Sequence, residues 1–271
     1  MMRRLRTANR RHRRAVRFNA GMVAANDGLA WLRAAPDLAA VPPPAAPSPR
    51  PPVRIVGTAE IPGGGVLHLA ECGGDFSIQF DADELMGSHD HVSEEAFATL
   101  ARAALPDGAG PVLIGGLGMG FTLRAARGAW PAPAEIIVAE LVPGVVEWAR
   151  GPLAHLFGDS LDDPRVRIAM GDVHALLDAS EGAYQAILLD VDNGPDGFMR
   201  PENDRIYCDW GLRSAHRALR PGGVLGIWSA YPDPDFRARF GACGFAVEEH
   251  VVPAFAGSTE DHHLLWFGRR D

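Results

Sequence analysis

Short apolar runs at Val53–Val56, Val66–Leu69 and Phe76–Phe80 are separated by Gly63-Gly64-Gly65 and Gly73-Gly74. That rhythm predicts strands joined by tight turns. From Ser93 to Leu105 the period changes, because Phe97, Leu100, Ala101, Ala104 and Leu105 fall on one face at helical spacing. Ser93 or Asp90 is available there as N-cap, and Glu94 and Glu95 sit in the first turn.

Beyond Gly110 the two periods alternate. Strands are predicted at Val112–Ile114, Ile136–Ala139, Val166–Ala169, Ala186–Leu189 and Val224–Trp228. Helices are predicted between them at Phe121–Arg127, Val142–Arg150, Val173–Asp178 and Tyr207–Arg220. Such alternation specifies an α/β unit with a parallel sheet covered by helices on both faces. The last apolar runs, Phe245–Val252 and Leu264–Phe267, show no helical pattern between them and predict an antiparallel hairpin at a sheet edge. The chain thus divides into an extension over residues 1–51, a small β-unit over 53–92 and an α/β unit over 93–271. No internal repeat is visible.

Composition changes the picture mainly at the start. The extension joins an Arg-rich arm to a short predicted helix at Gly28–Leu38 and a proline run that includes Pro42, Pro43, Pro44, Pro47, Pro49, Pro51 and Pro52. Proline fixes extended backbone and removes amide donors, so the helix stops there and the segment is expected to be flexible. The chain has 271 residues, 47% of them hydrophobic, with a net charge of −8, and all 26 basic residues are Arg. Without a lysine it can form no Schiff base and no Walker-type phosphate site. Eight of the arginines fall in residues 1–17, which hold no acid, so the body is more acidic than the total suggests. An acidic body disfavours a broad nucleic-acid footprint, and a basic block of this kind is ordinarily a solvated tail. Cys72, Cys208 and Cys243 are too few and too far apart for a disulfide framework or a metal motif. No run approaches the length of a membrane span, and a cytoplasmic location without membrane contact is expected.

The chemistry gathers at strand ends. Val112–Ile114 runs into Gly115-Gly116-Leu117-Gly118-Met119-Gly120, followed at once by a helix. Glycines allow the backbone to turn sharply and approach a ligand, and a helix N-terminus offers unpaired N–H groups. Gly116, Gly118 and Gly120 are spaced G-x-G-x-G, but Phe121 stands where a dinucleotide fingerprint has Gly or Ala, which disfavours a nicotinamide cofactor. Glu140 ends the next strand and suits a ribose diol, Asp172 ends the third, and Asp190 ends the fourth. The alternative for Glu140 and Asp172 is helix capping.

These segments resemble the polyamine aminopropyltransferases, spermidine synthase and its relatives, within the Rossmann-like S-adenosylmethionine-dependent transferases. The carriers are "VLIGGLGMG", "IIVAELVPGVVEWAR", "DDPRVRIAMGDVHALL", "YQAILLDVDNGPDG" and "ALRPGGVLGIWS", over residues 53–271. The resemblance implies a mostly parallel seven-stranded sheet with a C-terminal antiparallel hairpin, preceded by a small β-unit. It implies S-adenosylmethionine or its decarboxylated form as donor, held by Gly116, Gly118, Met119, Gly120, Glu140, Leu141, Asp172, Val173 and Asp190. Glu140 would bind ribose, Asp172 adenine, and Asp190 would take the place of the family's catalytic aspartate, with Asp192 as its orienting partner. Glu95, Asp192 and Asp196 would attract a cationic amine acceptor, and no metal is implied.

Three departures stand out. Met119 falls where the family's GGGDGG loop has the aspartate that holds the donor's amine, Ser93-Glu94-Glu95-Ala96 lacks the family's tyrosine, and Asp190-Val191-Asp192-Asn193-Gly194-Pro195 replaces D-S-S/T-D-P. The expected activity is transfer of an aminopropyl or related alkyl group to an amine. The alternatives are a methyltransferase and a non-catalytic nucleoside-binding protein; a homodimer is compatible with either. For Asp192 and Asp196 an ordinary Asx/Gly/Pro turn competes with a role in the site. His89, His91, His262 and His263 read as exposed loop residues rather than metal ligands, His216 as packed, and Trp148, Trp210 and Trp228 as core or pocket wall. Tyr207 and Trp228 also lie near strand ends.

Overall fold

The computed structural model describes residues 51–81, 83–105, 110–191, 194–195 and 204–271. The basic arm, the helix expected at 28–38, Asp192 and Asp196 lie outside the described residues.

The first unit is an antiparallel sheet of β1 (Arg54–Glu60), β2 (Val66–Cys72), β3 (Asp75–Phe80) and β4 (Asp83–Gly87), paired in that order. Leu67, Leu69 and Ile78 bury one of its faces in the main core. β4 was not expected, because Asp83-Glu84 masks its alternation.

The second sheet contains β5 (Val112–Gly115), β6 (Ile136–Glu140), β7 (Val166–Met170), β8 (Tyr184–Leu189), β9 (Leu219–Ser229), β10 (Phe245–Pro253) and β11 (His262–Arg270). Their order is β10-β11-β9-β8-β5-β6-β7, with β9, β8, β5, β6 and β7 parallel and the last hairpin antiparallel. This is the sheet expected from the alternating pattern. Every residue of β5 and β6 is buried, as continuous apolar runs in central parallel strands require.

Helices α1 (Val92–Ala103), α2 (Phe121–Ala129), α3 (Pro143–Arg150) and α4 (Ala154–Phe157) share one core with the small sheet. On the other face lie α5 (Val173–Asp178), α6 (Asp204–Tyr207), α7 (Asp209–Ala218) and α8 (Pro234–Ala242). Phe97 of α1 is fully buried, 5.7 Å from the Phe267 ring, and a Cβ on Gly226 would come within 2.7 Å of it. Glycine at 226 is therefore what lets α1 lie close to the sheet.

Three details correct the expected pattern. The helix expected over 207–220 is divided, because Cys208 is extended at φ −78°, ψ 169°, and Leu219 already belongs to β9. Arg220 precedes Pro221, which disfavours helical backbone at that point. The helix α8 was missed, since its stripe is only Phe236 and Phe240; the Asp233 carboxylate caps it by accepting from the Phe236 N–H at 2.8 Å. Finally, neither Ser93 nor Asp90 caps α1: the N-cap is His91, and Ser93 lies inside the helix, fully buried.

Candidate active site

The strand order reverses between β5 and β8, and an open α/β sheet leaves a crevice at such a point. Gly115 pairs with Ala139 on β6 and with Leu189 on β8, so Gly116, Glu140 and Asp190 emerge side by side, one residue beyond the ladder. The pocket there is lined by Gly116, Gly118, Glu140, Leu141, Asp172, Val173 and Asp190, all expected from sequence. Its opposite wall, unforeseen, comes from the small sheet through Ile61, Leu67, Ile78, Phe80, Leu85 and Met86.

The glycine loop is held open by geometry. Gly116 and Gly118 have φ of 89° and 49°, and a Cβ on Gly116 would lie 2.6 Å from the Asp190 carbonyl oxygen. Gly120 and Met119 do not line the pocket. Gly120 is the left-handed N-cap of α2, with the Phe157 ring where a Cβ would stand. Met119 is fully buried in the core, and its backbone N–H points to the Met86 sulfur at 3.2 Å. The position of the family's amine-binding aspartate thus presents no side chain to the site.

Glu140 holds the loop together. Its Oε2 accepts from the Leu117 N–H at 2.9 Å and its Oε1 from the Val142 N–H at 2.8 Å. Burial pushes its carboxyl above the ordinary range, while these backbone donors oppose the shift. Asp172 lies at the pocket wall and is also the N-cap of α5, accepting from the His174 N–H at 2.9 Å. Capping and pocket lining therefore coexist in this residue.

Two further carboxyls face the crevice. Asp190 Oδ2 accepts a hydrogen bond from Thr122 Oγ1 at 2.7 Å, and burial raises its pKa despite that bond. Glu94, 6% exposed, lines the pocket from the first turn of α1. Its pKa is pushed up to about 8, first by burial and then by the charge of Asp190. Like charges in a dry site cannot both persist, so at neutral pH the pair tends to hold a proton.

Glu94 corrects the expectation for Glu95. Glu94 is in phase with buried Phe97, Ala98 and Ala101, whereas Glu95 shares the outer face with Thr99 and Arg102. Glu95 does not line the pocket; it pairs with Arg124 at 2.8 Å and with the His91 ring at 3.1 Å. An acid in register with the apolar stripe was the signal available in the sequence.

The histidine reading also changes. His91 stacks on Phe121 at 4.7 Å, and His263, on β11 rather than in a loop, packs on Trp228 at 4.6 Å. Trp228 lines the pocket, and its Nε1–H reaches Ser93 Oγ at 3.0 Å. Tyr207 donates to the Val191 carbonyl at 2.9 Å, while its neighbour Ile206 lines the crevice. Trp148 is buried in the core, and Trp210 is half exposed against His174. Among the described residues no group of three or more His, Cys, Asp or Glu is placed to hold a metal ion. No helix among them is long and apolar enough to cross a membrane.

No protein-family model matches the chain. Over 137 residues it is 32% identical to the polyamine aminopropyltransferase of Mycobacterium tuberculosis, a stretch that covers 49% of this chain and 25% of that protein. Over 136 residues it is 32% identical to putrescine N-methyltransferase 4 of Nicotiana tabacum, covering 48% of this chain and 32% of that protein. The match thus spans a quarter to a third of the length of these curated relatives. The spermidine synthase structure of Thermotoga maritima superposes with a TM-score of 0.65 at 17% identity, covering 80% of this chain and 73% of that one. The chain is therefore spermidine synthase-like in fold, with part of its sequence akin to both aminopropyl- and methyltransferases of amines.

Proposed function

We propose that this chain transfers an aminopropyl or related alkyl group from a sulfonium nucleoside, S-adenosylmethionine or its decarboxylated form, to an amine. The observation that carries the reading is a pocket with Glu140 at the glycine loop on one side and the acids Asp190, half-buried, and Glu94, buried, on the other. When bound, the donor supplies a carbon already activated for in-line displacement. The residues fit such a nucleoside: Gly116 and Gly118 leave the loop without side chains, Leu141 and Val173 give apolar walls, Glu140 sits at the wall, and Asp172 keeps acceptor capacity beyond its backbone bond.

The protein's part is then to align and to manage a proton. An alkylammonium is attracted by the Asp190 carboxylate and must lose a proton before its lone pair can attack. Asp190, oriented by Thr122, takes that proton, and the apolar wall from the small sheet keeps competing water away. Asp192 and Asp196 lie outside the described residues and are further candidates for attracting the acceptor on sequence grounds alone. A second reading, methyl transfer to an amine, is favoured by Met119, which removes the anion that would select a donor lacking its carboxylate.

Parallel calorimetric titrations with S-adenosylmethionine, its decarboxylated form and methylthioadenosine test the assignment. Preference for the decarboxylated donor with tight methylthioadenosine binding supports aminopropyl transfer. Preference for S-adenosylmethionine moves the reaction to methyl transfer, and binding of none overturns the donor site.

A further inference from the structure

Ser93 Oγ is surrounded by three hydrogen-bond partners: Glu94 Oε2 at 2.6 Å, His263 Nδ1 at 2.9 Å and Trp228 Nε1 at 3.0 Å. The residue is fully buried, so water does not share the site. A serine hydroxyl owns one proton, and an indole nitrogen can only donate. Trp228 therefore occupies one acceptor direction, leaving one bond for Ser93 to donate and one to accept. Two arrangements satisfy all four groups. In the first, Ser93 donates to an ionised Glu94 and accepts from His263 Nδ1–H. In the second, a protonated Glu94 donates to Ser93, which donates to an unprotonated His263 Nδ1. The hydroxyl thus locks the protonation of Glu94 to the tautomer of His263.

We propose that Glu94, Ser93 and His263 form a proton relay that drains the proton released by the acceptor amine from the pocket, a step that rests on the alkyl-transfer reading. As the carbon–nitrogen bond forms and the carbon–sulfur bond breaks, one net proton is left over, because the incoming ammonium gave one up to Asp190. With Asp190 neutralised, Glu94 passes its own proton to Ser93 Oγ while the Ser93 proton moves to His263 Nδ1. The imidazolium then releases its Nε2 proton to solvent, Glu94 takes the proton held by Asp190, and before the next turnover the ring gives its Nδ1 proton to solvent and takes one back on Nε2, so that one proton leaves per transfer. Burial holds the proton on Glu94 and lowers His263, so the transfer runs uphill until Asp190 is neutralised and its charge no longer raises Glu94. Glu94 faces Asp190 and, more weakly, Asp90; half-buried His263 faces Asp90 and Asp261, which favour its charged form against the burial that opposes it. Trp228, touching both Ser93 and the His263 ring, is the positioning residue that fixes the serine's lone pair.

The test uses the whole chain labelled with ¹⁵N-histidine, with the His263 tautomer read by two-bond correlation spectra across pH 6 to 10. The relay predicts Nδ1–H at high pH and Nε2–H once Glu94 takes up its proton. Glu94→Gln, which cannot titrate, holds a single tautomer throughout, and Ser93→Ala abolishes the coupling. A tautomer that does not change with pH in the unaltered chain, or that changes equally in Ser93→Ala, overturns the proposal. Should Ser93→Ala fail to fold, Glu94→Gln alone still decides. In the transfer assay, His263→Ala lowers kcat by about tenfold or more without moving donor affinity, and added imidazole restores it. An unrestored kcat overturns the relay as a kinetic path. If no sulfonium nucleoside binds but the tautomer switches, the alkyl-transfer reading fails while the coupled network stands.

Discussion

Asp163 and Glu94 both turn little surface to solvent, the Asp163 side chain being 8% and the Glu94 residue 6% exposed, but Glu94 lies far deeper among protein atoms. Their protons behave oppositely. Arg165 and Arg127 donate to Asp163 at 2.9 and 2.8 Å, and its carboxyl is held well below the usual range. Among the described residues Glu94 and Asp190 have no cationic donor, only the Ser93 and Thr122 hydroxyls and a backbone N–H at Glu94, and burial drives both upward. Depth and partner charge act together, since burial is the leading cause at Glu94 and Asp190 and arginine donors are the leading cause at Asp163. At the Asp163 corner, arginines join α2 to the start of β7, a structural task. In the pocket two acids are kept without a cation, as a site built to receive one requires.

The largest expected effect comes from removing that unpaired charge. Asp190→Asn keeps the shape and the contact with Thr122 but loses the proton acceptor, so the transfer rate should fall about 10²- to 10⁴-fold while donor affinity stays. Steady-state kinetics beside calorimetry separate the two, and an unchanged rate would remove Asp190 from the chemistry. Glu140→Gln ranks next. Its amide would face the Leu117 or Val142 N–H with another donor, at a cost of roughly 1–3 kcal/mol, so the donor should bind about ten- to a hundredfold more weakly. An unaltered Kd would mean that Glu140 only braces the loop.

Most of the sheet was legible because central strands are continuous apolar runs and their helices carry wide stripes. Local signals sufficed for Gly116, Glu140, Asp172 and Asp190, which all follow strands. What failed was long-range or narrow. No local pattern says that Met86 and Phe80 will cover the glycine loop, since that contact depends on how the small sheet folds over the crevice. Choosing Glu95 over Glu94 was a one-residue error of helical phase, worth about 100° of rotation. His263 looked like a loop residue because Asp261 and the preceding Ser258-Thr259-Glu260 obscure the start of β11. The reach of Ser93 to Trp228 and His263 joins α1 to β9 and β11 across 135 and 170 residues.

The pH dependence of stability sharpens the contrast. Glu94 has a folded pKa raised from 4.5 to about 8, so the folded state binds the extra proton between these values. Stability from this group is full below pH 4.5 and is lost as the pH rises toward 8. The melting temperature should therefore decline across that window, and Glu94→Gln should flatten the decline. An equally steep decline in the variant would assign it to another group.

Asp163→Asn should give the mirror image at smaller amplitude. The lowered carboxyl contributes stability above its unfolded value of 3.8, and that contribution is lost as the pH falls through and below it. The variant should thus melt below the parent at pH 7, and the gap should begin to narrow below pH 3.8 and close only in much stronger acid. Because Arg127 also pairs with Asp159 at 2.7 Å and Arg165 also donates to the Trp130 carbonyl at 2.8 Å, part of the corner survives the change. Donor affinity and kcat should stay at parental values, since no corner residue lines the pocket. A change in kcat with Asp163→Asn would show that the arginine corner reaches the site through α2, whose first turn carries Thr122, and the division between structural and chemical acids would then fail.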